Sequence, residues 1–184
     1  MKRALKLYYT TDTHGYLFPT DYISKTEIDM GLLSCTKAYQ KDGNTLILDA
    51  GDTLQGSAFV KEMWNQDKEG CKLAEAFNDA GYDYITLGNH DFNYDYTGIQ
   101  RYLAASKAQC LACNVKDKTD NLPIKPYAIH TLENGLRIGI VGFVTDYVKL
   151  WEAPEHLTCL EISDTFTATK AALEEVKPQC DIVI

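Results

Sequence analysis

Three short segments carry side chains whose types and spacing suit cation binding: Thr11-Asp12-Thr13-His14-Gly15, Gly51-Asp52-Thr53 and Gly88-Asn89-His90-Asp91. Each sets a carboxylate, a carboxamide or an imidazole beside a glycine, which lets backbone approach closely. Singly, each has a plainer explanation. A loop aspartate often caps a turn, and an Asn-His pair is often a satisfied polar corner. Together they form a donor set of oxygens and imidazole without thiolate. That set suits Mn²⁺, Fe, Co²⁺ or Zn²⁺ in a hydrolytic site rather than a structural cysteine site. One aspartate placed between two such cations can bridge them at a separation of about 3.5–4 Å.

The surrounding pattern aims all three segments at one volume. Residues 4–10, 44–50 and 84–87 read as strands, and one segment follows each directly. The Leu-Ile-Leu run of the second lacks alternation, as expected of a parallel strand covered on both faces. Open parallel sheets bind ligands beyond the carboxyl ends of their strands. Asp52 is the natural bridge if its strand lies between the other two. Helical spacing predicts helices over 30–42, 69–80, around 96–108 and over 164–177, with Gly43, Gly81 and Pro178 as stops. A strand is expected over 110–115, and a hairpin from 127–132 and 136–144 around Asn134-Gly135. The expected fold is an α/β sandwich with a mostly parallel sheet plus an antiparallel hairpin. Residues 181–184 start a strand in which the chain ends, so residues 1–184 read as the N-terminal part of a truncated domain.

Composition narrows the partners. With 26 acidic and 18 basic residues in 184, the formal charge is −8. That argues against a nucleic acid polymer as partner. An anionic small-molecule substrate must then be drawn in by something local, such as a bound cation. The longest apolar stretch, 138–144, is too short for a membrane span. Met1-Lys2-Arg3 mimics the start of a leader, but Lys6 breaks the apolar run of residues 4–10, so a cytoplasmic protein is expected. The six cysteines read as buried, reduced thiols, and Cys110-x-x-Cys113 lacks the second pair that a zinc site needs.

The motifs Asp12-x-His14, Gly51-Asp52-Thr53-Leu54-Gln55-Gly56 and Gly88-Asn89-His90-Asp91 resemble those of the calcineurin-like metallophosphoesterases. Phe92-Asn93-Tyr94, Asn114 and the 134–142 segment extend the likeness towards the 5′-nucleotidase / 2′,3′-cyclic-nucleotide phosphodiesterase branch. The resemblance implies a two-metal hydrolase acting on nucleotides as the full-length protein, with residues 1–184 alone inactive, and export from the cytoplasm in many relatives. Asp12 and His14 would hold the first cation, Asp52 would bridge both, and Asn89 would bind the second. His90 would sit over the scissile phosphate as the catalytic group. Gln55 gains no role, and Asp91 reads as a turn cap. Two departures stand out. Asn93 occupies a position where many relatives carry an aspartate that orients the histidine. The family's further histidine segments and C-terminal nucleotide-binding domain have no counterpart, since the only other histidines, His130 and His156, lie in no matching motif. These departures motivate an alternative, a non-catalytic metal- or phosphate-binding module or partner subunit. An aspartyl-phosphate phosphatase fails on spacing, because Asp49 and Asp52 are three apart. A P-loop NTPase fails because its lysine motif is absent.

Overall fold

A computed structural model describes residues 3–66 and 71–184. Met1, Lys2 and the expected start of the second helix at Glu69 and Gly70 lie outside the described residues. In chain order the first elements are β1 (Lys6–Thr10), α1 (Leu32–Thr36), β2 (Thr45–Asp49), α2 (Ala58–Gln66) and α3 (Lys72–Ala80). Next come β3 (Tyr84–Ile85), a 3₁₀ turn (Asn89–Phe92), α4 (Asp95–Ala105), β4 (Gln109–Leu111), β5 (Val115–Asp117) and β6 (Ile124–Lys125). The last are β7 (Tyr127–Thr131), β8 (Arg137–Val141), α5 (Val148–Trp151), β9 (Leu160–Ile162), α6 (Thr165–Val176) and β10 (Ile182–Val183).

The main sheet runs β1-β2-β3-β4-β6 and is parallel throughout. A second sheet, β10-β8-β7, contains the expected hairpin, with Tyr127 opposite Val141 and Thr131 opposite Arg137. The two sheets pack face to face, Leu46 and Leu111 against Leu136, Ile138 and Ile140. On the outer face of the main sheet, Ile47, Ile85 and Cys110 meet Leu73, Phe77, Ile99 and Tyr102 from the helices. Helix α6 covers the second sheet, and Gly139 leaves room there for the Val176 side chain. Strand β2, a central strand covered on both faces, is therefore buried at four of its five residues. Among the described residues, no helix is long and apolar enough to cross a membrane.

Three expectations need correction. The helix expected over 30–42 is only α1. Beyond Thr36 the chain tightens into three-residue bonds, Ala38 N–H to Cys35 O and Tyr39 N–H to Thr36 O. Ser34, Cys35 and Thr36 are weak helix formers, so little favours extension. The strand expected over 110–115 is two strands in different sheets. Between them the chain turns at Asn114, whose buried amide bonds both backbone groups of Val144. Finally, Cys35 is exposed; only Cys71 and Cys110 are fully buried thiols. Helix α2 had no counterpart in the sequence pattern. Ser57 starts it, its hydroxyl accepting the Val60 N–H.

Candidate metal centre

Thr10 and Asp49, the last residues of β1 and β2, lie opposite each other in the ladder, so both following loops leave the same rim. Strand β2 lies between β1 and β3, as a bridging Asp52 requires. Asp12, His14 and Asp52 each offer a donor atom, and these atoms lie within 4.8 Å of one another. Backbone bonds tie the loops together. Asp12 N–H donates to Gly51 O and His14 N–H to Asp52 O, both at 2.9 Å, and Ser57 N–H donates to His14 O at 2.8 Å. All three candidate ligands sit in the left-handed region, at φ of 54°, 47° and 56°. That conformation costs an ordinary residue roughly 1–2 kcal/mol. Such a cluster of outliers is characteristic of a functional site.

Each candidate ligand has a fixed direction. His14 Nδ1 lies 2.6 Å from the Gln55 carbonyl oxygen. A carbonyl only accepts, so Nδ1 carries the hydrogen and Nε2 is left for a cation, a usual outer-shell arrangement. That nitrogen stands 3.9 Å from Asp12 Oδ1. Asp52, 9% exposed, accepts the His90 N–H on Oδ1 at 2.7 Å. Gly88 is close against this carboxylate, and any Cβ there would collide with it. The His90 ring meets the His14 ring edge-on at 5.3 Å. Asn89 and His90 line a cavity of about 310 Å³ with Asn93, Val148, Trp151 and Glu152. Thus Asp12, His14 and Asp52 converge, His90 adjoins them, and Asn89 begins the turn that carries His90. His130 instead bonds Tyr84 at 3.1 Å. Two carboxylates and an imidazole with a free Nε2 fit a divalent cation.

Two contributors escaped the sequence reading. Gln55 acts through its backbone oxygen, which no side-chain pattern reveals. Asp91 is wholly buried, and its carboxylate accepts the N–H groups of Asp52, Thr53, Leu54 and Gly88 at 2.7–2.9 Å. It is more than a turn cap, because it locks the loop after β2 to the loop after β3. Burial pushes its carboxyl up to about 6 despite those N–H donors. Asp49, nearby, accepts from Thr10 Oγ1, Gly51 N–H and Thr53 Oγ1. Burial pushes its carboxyl up to about 7.

No protein-family model matches the chain. The chain is 28% identical over 201 residues to the trifunctional nucleotide phosphoesterase protein YfkN of Bacillus subtilis, covering 98% of this chain and 14% of that protein. It is 28% identical over 198 residues to the 2′,3′-cyclic-nucleotide 2′-phosphodiesterase/3′-nucleotidase of Salmonella typhimurium, covering 98% of this chain and 31% of that protein. The chain therefore spans less than a third of the length of these curated relatives. The crystal structure of the calcineurin-like phosphoesterase YfkN from Bacillus subtilis matches with a TM-score of 0.82 at 26% identity, over 97% of this chain and 60% of that one.

Proposed function

The chain is similar in sequence and fold to the N-terminal part of calcineurin-like nucleotide phosphoesterases, and from that premise we propose that the protein hydrolyses phosphoester bonds of nucleotides with two divalent cations. Asp12 and His14 Nε2 would hold the first cation, with Asp52 shared and Asn89 serving the second. When bound, the cations would activate water and stabilise charge on the phosphoryl oxygens. His90 supplies a hydrogen bond or a proton to the leaving oxygen through Nε2, because Nδ1 is engaged with Asn93. The loop bonds keep these groups in place before substrate arrives, so little reorganisation accompanies the reaction. With a net charge of −8, the molecule has no global field to attract an anion, which leaves that task to the cations.

The observation that carries this reading is the convergence of Asp12, His14 and Asp52 at the ends of two adjacent parallel strands. The test is metal-dependent hydrolysis of 2′,3′-cyclic AMP and 5′-AMP by the full-length protein and its Asp52→Asn variant. Activity should need added Mn²⁺, Zn²⁺, Fe²⁺ or Co²⁺ and fall at least about 100-fold in the variant. Unchanged turnover would refute the bridging role.

A further inference from the structure

Asn93 replaces an orienting aspartate, yet its amide leads on to a carboxylate. Asn93 Oδ1 lies 2.9 Å from His90 Nδ1, and Asn93 Nδ2 lies 2.6 Å from Glu152 Oε2. Glu152 follows α5, which the fully buried Val148 anchors to the core. Its side chain is 8% exposed. Its other oxygen accepts the Ala153 N–H at 2.8 Å and stands 3.0 Å from His156 Nδ1. The four side chains His90, Asn93, Glu152 and His156 thus form one unbroken chain.

The direction of that chain is fixed by chemistry. A carboxylate has no hydrogen to give, so Asn93 must turn its NH₂ towards Glu152 and its carbonyl towards His90. That carbonyl only accepts, so His90 Nδ1 must carry the hydrogen, leaving Nε2 for the cavity. We propose that Glu152 is a positioning residue which, through Asn93, sets the tautomer and orientation of His90. It supplies at one remove what a direct aspartate neighbour would supply. Only the kinetic consequence rests on the phosphoesterase reading; the tautomer follows from the hydrogen bonds alone.

The Glu152→Gln variant tests this directly. The new amide keeps its oxygen on the Ala153 N–H and His156, and so presents its NH₂ to Asn93. Asn93 then flips, its NH₂ faces His90, and Nδ1 must become the acceptor. Nitrogen NMR of the ring-labelled protein should show His90 pass from the Nδ1–H to the Nε2–H tautomer. Nucleotide hydrolysis should lose roughly 10–100-fold in kcat with KM unchanged. Adding Asn93→Asp to Glu152→Gln should restore both, because the introduced carboxylate can only accept from His90. Asn93→Ala, at an exposed position, should lose kcat as Glu152→Gln does. An unaltered His90 tautomer in Glu152→Gln overturns the proposal. So does a double variant that fails to recover the tautomer. A full-length wild-type protein without nucleotide hydrolysis sinks the phosphoesterase reading instead, while the ring spectra still decide the relay.

Discussion

Asp49 and Asp91 are both buried carboxyls behind the ligand loops, and each is held by donors rather than by a cation of the protein. Asp49 yields a pH prediction. Its folded pKa of about 7 lies above the ordinary value of 3.8. In the window between those values the folded state keeps a proton that the unfolded state has lost. Its stabilising effect is therefore complete below the ordinary value and disappears as pH rises through about 7. Relative to the Asp49→Asn variant, the wild type should lose roughly 1.4 kcal/mol per pH unit across that window. The introduced amide can still accept from Gly51 and Thr53, while the Thr10 hydroxyl turns to accept from it. Urea denaturation of both proteins at pH 4 to 8 checks this. Parallel stability curves would contradict it.

Between elements, Asn114 is a joint whose residue stood out in the sequence but whose partner, Val144, did not. It is 2% exposed, donates to Val144 O at 2.7 Å and accepts Val144 N–H at 2.9 Å. Asn114→Leu would strand the Val144 N–H, at a cost of roughly 1–3 kcal/mol, while the Val144 carbonyl keeps the Thr165 hydroxyl as donor. A chemical denaturation midpoint equal to wild type would count against this. The contrast shows what the residues disclosed. The uncapped Leu-Ile-Leu run of β2 and the Asn134-Gly135 turn state their structures locally, and both came out as expected. The split at Asn114 depends on Val144, thirty residues on, and so it read as one strand. The site divides the same way. Asp12, His14, Asp52 and His90 were recognisable because each follows a strand by a few residues. Asp91 and Glu152 act on residues 37 to 59 positions away, and Gln55 acts by backbone alone. Helix α2 went unnoticed because it buries only Val60 and Met63, too little for a clear period.

For the molecule as a whole, charge and topology act together. A chain of net charge −8 gathers Asp12, Asp52 and His14 at one rim, where a cation would relieve the repulsion between the two carboxylates. Mn²⁺ at a hundredfold excess over its Kd should stabilise the fold by about 2.7 kcal/mol. Asp12→Ala should abolish the gain. Differential scanning calorimetry with and without Mn²⁺ reads both. An equal gain in the variant would place the ion elsewhere.

The ties from Asp12 to Gly51 and from His14 to Asp52 join peptide groups directly. The backbone itself thus holds the candidate ligand loops against each other. Metal uptake then need not drive folding, unlike in domains that collapse only around their zinc. A chelator should empty the centre and leave the far-ultraviolet dichroism intact. Exchange among competing cations becomes a contest of supply and coordination preference rather than of refolding.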